Sequence, residues 1–93
     1  MRSKIGCMMR VNELRSVLKD IISSAPKKKI ESFICDDDSR LAKESLSEAV
    51  LQLKFYNRSC NNVFLNTANV EIDVAESCIN SLRSKVLKEV LSA

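Results

Sequence analysis

Three consecutive carboxylates, Asp36, Asp37 and Asp38, form the densest set of side chains in the chain that could hold a hard cation. A calcium loop spaces its oxygen ligands at alternating positions around a glycine that permits the sharp turn, and both features are missing here. The acids suit the start of a helix better, where freed backbone N–H groups and the positive end of the helix dipole favour negative charge. Asp38 or Ser39 is the expected cap of a helix beginning near Arg40, with a chain break close to Asp37. Cys7, Cys35, Cys60 and Cys78 are the other metal-capable set. Their long separations contain no C-x-x-C pair, so they read as free thiols in a reducing compartment and not as a zinc site or a disulfide framework.

There is no histidine, and Gly6 is the single glycine. The commonest general base and metal ligand is therefore missing, as is any glycine-rich cradle for phosphate. Serines are numerous, but none has a base marked beside it. The expectation is a protein without enzymatic activity, cofactor or metal.

Charge is asymmetric. Residues 1–30 hold eight Lys or Arg against two acids, a balance of +6; the remainder holds seven against ten, a balance of −3, and together they give the net +3. Arg10, Lys27, Lys28 and Lys29 could contact the phosphates of a nucleic acid, although no aromatic residue interleaves with them to stack on bases. A solvated face near a helix end is the competing reading.

The elements that position these residues are helices. The chain has 93 residues, 45% of them hydrophobic, with one glycine and one proline, which suits a single soluble domain (1–93) of long helices. Cys7, Val11, Leu14, Leu18, Ile21 and Ala25 alternate four and three positions apart, one helical stripe that Val17 and Ile22 widen and Pro26 ends. Ile30, Phe33 and Ile34 share one side of a short helix. Ala42, Leu46, Ala49, Leu53, Tyr56, Cys60 and Val63 form a second regular seam. A last stripe contains Ile72, Ala75, Ile79, Leu82, Val86 and Val90, with Asn69 as its expected cap. The prediction is an all-α bundle of three main helices, about 7–25, 39–66 and 69–92, plus a short helix at about 28–36. In an alternative reading, "QLKFYN", "NVFLN" and "NVEID" are short strands, because apolar and polar residues alternate there.

On the predicted third helix, Leu51, Phe55 and Leu65 project away from the seam, beside Arg58. This second apolar side is either covered within the bundle or binds another chain. Leu51, Phe55, Leu65 and, as a rim charge, Arg58 are the candidate partner-binding residues, the partner being an identical or a different protein.

"DDDSRLAKES" followed by a long helix, and "NVEID" before another helix, resembles histone-fold proteins, with Arg40 matching in the first loop and Val70 and Ile72 in the second. That resemblance implies a central helix bounded by two loops, a dimer surface and a DNA-binding role.

No 18-residue apolar run is present, so no membrane span is expected. The opening "MRSKIGCMMR" lacks the apolar core of a secretory signal, which points to an intracellular protein, cytoplasmic or nuclear; a basic organellar transit segment is the alternative. The functional expectation is a non-enzymatic protein–protein interaction module or small subunit of a larger complex. A small nucleic-acid-binding protein using Arg10, Lys27, Lys28 and Lys29 is the second reading.

Overall fold

The computed structural model describes residues 1–92, which form helix α1 (Lys4–Ser23), a 3₁₀ turn (Lys27–Lys29) running into short α2 (Ile30–Ile34), α3 (Asp37–Ser59) and α4 (Asn62–Ser92). The bundle is all-α, with three main helices and one short one, as the periodicity predicts. No strand occurs among the described residues, so the alternation near residues 52–73 is not a sheet. Among the same residues, no helix is long and apolar enough to cross a membrane.

Local chemistry sets the ends. Ser3 caps α1, its Oγ accepting from the Gly6 N–H at 3.1 Å. Asp36 caps α3, accepting from the Asp38 N–H at 2.9 Å. The cap thus falls slightly before the expected Asp38 or Ser39, and Ser39 is instead fully buried.

The boundary between the third and fourth helices differs from the prediction. The chain reverses at Cys60 and Asn61, not between Asn66 and Asn69. Cys60 takes a left-handed backbone, φ 55°, and its N–H closes on the Tyr56 carbonyl at 2.8 Å. Asn61 then caps α4, its Oδ1 accepting from the Val63 N–H at 2.9 Å. A cysteine occupies the position that glycine normally takes, so the usual signal of a helix stop is missing. The seam is buried only as far as Leu53; Tyr56 is half-buried, while Cys60 and Val63 are exposed because the chain has turned.

Asn69 is not a cap but a buried residue inside α4. Its Nδ2 donates to the carbonyls of Leu65 (3.0 Å) and Arg2 (3.1 Å), and its Oδ1 accepts from the Arg2 N–H at 2.9 Å. The segment before α1 is thereby tied to the second turn of α4. "NVEID" is likewise helical, with Val70 exposed and Ile72 fully buried, so the extended loop that the histone-fold resemblance implies is absent. Arg40, its other matching position, pairs with Asp37 within the first turn of α3.

Ion pairs between elements fix the directions. Lys85 reaches Asp36 (3.0 Å) and Asp38 (2.9 Å), so α4 runs antiparallel to α3. Arg10 reaches Glu76 at 2.9 Å while Arg2 lies against Asn69 and Asp73, so α1 runs parallel to α4. With 31 residues, α4 is about 46 Å long at 1.5 Å per residue, close to the 50 Å long axis of the molecule. It is the spine on which the other two main helices rest.

The core joins Val11, Leu14 and Leu18 of α1 with Leu46 and Leu53 of α3 and Ile72, Ile79, Leu82 and Val86 of α4. Burying each such side chain is worth roughly 1.5–3 kcal/mol. Ala42 and Ala49 on α3, and Ala68 and Ala75 on α4, are all fully buried. Each pair is seven residues apart, and these small side chains let the two helices approach closely; α3 with α4 is the most extensive pairing in the molecule. The contact between α1 and α3 is the least extensive of the three main pairings.

Candidate functional site

The four predicted partner-binding residues do not form one surface. Leu51 lies on the outer side of α3 with 41% of its surface exposed, and Arg58 is exposed in the last turn of that helix. Phe55 is half-buried because the Phe64 ring of α4 packs beside it, with centroids 5.4 Å apart and planes tilted by 48°. Leu65 belongs to α4 and is 8% exposed, within the core. The reversal at Cys60 and Asn61 explains this: residues 51 and 65 sit on different helices, so the common periodicity assumed for them does not exist.

The basic set also divides. Arg10 is held between Glu13 (3.0 Å) and Glu76 (2.9 Å). Burial works against its charge, but the hydrogen bonds to Glu76 and Glu13 outweigh that and hold the guanidinium even more firmly protonated than usual. It ties α1 to α4. Lys27, Lys28 and Lys29 are exposed together on the 3₁₀ turn between α1 and α2.

The acids at 36 and 38 are engaged structurally. Besides capping α3, Asp36 shares the Lys85 ammonium with Asp38, and these bonds, first that to Asp38, push the lysine above its ordinary range. No group of three or more metal-capable side chains is gathered among the described residues. All four cysteines are unpaired; Cys7 is buried and Cys78 half-buried, and burial raises both thiols.

Among the described residues, one concave site lies beside α2, and a more polar one of about 640 Å³ lies between Arg2 and the Asn66–Asp73 stretch of α4. Where α1 and α3 stand apart, a furrow of about 570 Å³ opens between them, bordered by α2. Its apolar lining is Leu18 and Ile22 of α1, Ile30 and Ile34 of α2, and Leu46 of α3. Arg15 and Lys19, four residues apart, stand on the α1 side, and Lys43 stands on the α3 side; Ser23 and Ser47 are the remaining polar residues. No carboxylate lines it. The volume lies within the range of ligand sites, and its base is formed by the buried Leu18, Ile22 and Leu46 with polar groups at the edge.

Sequence reasoning missed this site. The signal was the width of the α1 stripe: Ile22 lies beyond the arc that one neighbouring helix covers, and Arg15 and Lys19 fall on that same side at helical spacing. Pairing it with Lys43 requires knowing that α1 and α3 are antiparallel neighbours.

Compared with known proteins, the chain matches no family model, no curated protein and no solved structure. The reading of the furrow rests on its own residues.

Proposed function

We propose that the protein is a non-enzymatic helical interaction module, or small subunit of a larger complex, that receives a helix of another protein in the furrow between α1 and α3. The observation that carries this reading is the furrow itself: the exposed Ile34 and half-buried Ile30 stand at its edge, the buried Leu18, Ile22 and Leu46 close its base, and it lies at the least extensive of the three main helix pairings. A helix laid between α1 and α3 would cover that surface and complete a four-helix arrangement, the common way for amphipathic helices to bury such stripes. A bundle of this size buries a smaller share of its surface than larger domains do, and the added contact would offset this. Four unpaired thiols suit a reducing compartment, cytoplasmic or nuclear.

A titration of the isotope-labelled full chain with a synthetic helix bearing a leucine ridge and glutamine flanks tests the proposal by nuclear magnetic resonance. Shift changes should concentrate at residues 15–23, 30–34 and 43–47, and Ser47→Trp, which fills the furrow from an exposed position, should abolish them. Changes spread evenly over the surface, or binding unaffected by Ser47→Trp, would overturn the reading. The nucleic-acid reading predicts instead steep salt dependence and loss of duplex binding when Lys27, Lys28 and Lys29 become Glu; Arg10 has lost its place in that reading, because two glutamates already hold it.

A further inference from the structure

Resting on the interaction-module reading, we infer that the occupant of the furrow is an amphipathic helix with acidic residues on both flanks of its apolar ridge. The charges carry this. Arg15 and Lys19 lie on one helix and Lys43 on the opposite one, so cations bracket the apolar floor from both sides, and no acid interrupts them. Lys27, Lys28 and Lys29 add three exposed cations on the turn that leads into α2, which borders the same furrow. A lipid-like molecule with a single anionic head would engage cations at one point, leaving those on the other side unmatched. A nucleic acid would bring phosphates to both sides but would meet an aliphatic floor with no ring on which to stack a base. A helix matches both features, since its apolar positions at i, i+3, i+4 and i+7 form a ridge flanked by positions that can each hold a carboxylate. The stretch Arg15–Ser23 covers about 12 Å at 1.5 Å per residue, so roughly two turns of such a helix are engaged. Exposed pairs of this kind select the partner and speed its arrival more than they tighten it, and like charges at the same positions are rejected.

The test compares three synthetic helices that share one leucine ridge and carry Glu, Gln or Lys flanks. Glu, Gln and Lys have similar helix propensities, so the comparison isolates charge. Each is titrated into the labelled full chain at low and at physiological salt. The Glu-flanked helix should bind at the furrow at least about tenfold more tightly than the Lys-flanked one, with the gap narrowing as salt rises. Changing Lys19→Glu together with Lys43→Glu, both exposed, should reverse the order. If the Gln-flanked helix binds the furrow as tightly as the Glu-flanked one, the inference fails while the interaction module stands. If no helix perturbs the furrow, both fail. Oleate binding there more tightly than any of the peptides would replace the proposed occupant with an anionic amphiphile. A concentration-dependent dimer dispersed by Ser47→Trp would replace it with a second copy, whose α3 offers Leu41, Glu44, Glu48 and Leu51 on its outer side.

Discussion

Replacing Asn69 with alanine removes three short hydrogen bonds at once, two to the backbone of Arg2 and one to the Leu65 carbonyl, together with a long one of 3.5 Å from the Arg2 guanidinium. Each such bond contributes about 1 kcal/mol net, and a helix interior favours alanine over asparagine by roughly 0.5 kcal/mol. Counting the three short bonds, the expected loss is therefore about 2.5 kcal/mol. For a domain of this length it corresponds to a fall in Tm of roughly 10–20 °C, readable by circular dichroism during thermal unfolding or from the urea midpoint. Arg2→Ala is the control, because it keeps both backbone bonds to Asn69 and removes only the contacts of the guanidinium with Asp73, Glu76 and the Asn69 Oδ1. Those pairs are largely open to solvent, so that change should cost less than about 1 kcal/mol and shrink further in salt. Equal losses from the two variants, or an Asn69→Ala loss below about 0.5 kcal/mol, would refute the view that a buried amide anchors the leading segment.

Further outcomes follow from other sites. Cys60→Gly should raise stability by about 0.5–1 kcal/mol, since a left-handed backbone strains any residue with a Cβ, whereas Cys60→Ala should bring no comparable gain; urea midpoints decide it. Ser39 is fully buried, and its Oγ has no hydrogen-bond partner, so Ser39→Ala should stabilise by about 1 kcal/mol, and a destabilised variant would show that the hydroxyl is satisfied in solution. A thiol reagent at neutral pH should modify Cys35 and Cys60 quickly and Cys7 only as the chain opens, which mass spectrometry of partly labelled protein would show. Burial raises the Cys7 thiol above its unfolded value, so its contribution to stability is fully present below about pH 8.5 and declines as pH rises beyond that. The alkaline decline of the urea midpoint should accordingly be steeper in the unmodified chain than in Cys7→Ala.

Much of the fold was legible because helical stripes depend on local spacing. Val11, Leu14 and Leu18, then Ala42, Leu46, Ala49 and Leu53, are buried on the faces that their register indicates, and the break near Asp37 lies where the acids place it. The turn at Cys60 and Asn61 was hidden for a physical reason. A helix stop is usually marked by glycine or proline, and here a cysteine adopts the left-handed backbone, while Val63 continues the four-three spacing by coincidence across the reversal. Both the misplacement of Leu65 and the expectation that Asn69 is a cap follow from that one boundary. The furrow was illegible for another reason: it brings Ile22, Ile34 and Lys43 together, and their proximity is decided by helix directions that no local pattern encodes.

The two-residue link between α3 and α4 also shapes how the molecule comes together. Contacts across that link close short loops first and then extend along the hairpin, whereas α1 finds its position through partners as distant as Arg2 and Asn69, 67 positions apart. Closing a long loop costs more entropy than closing a short one, so the hairpin contacts carry a smaller closure cost than those that seat the leading segment and α1. Since α1 supplies one wall of the furrow, anything lodged against Leu18 and Ile22 of the folded chain alone also holds α1 in its place and shifts the balance toward the folded molecule.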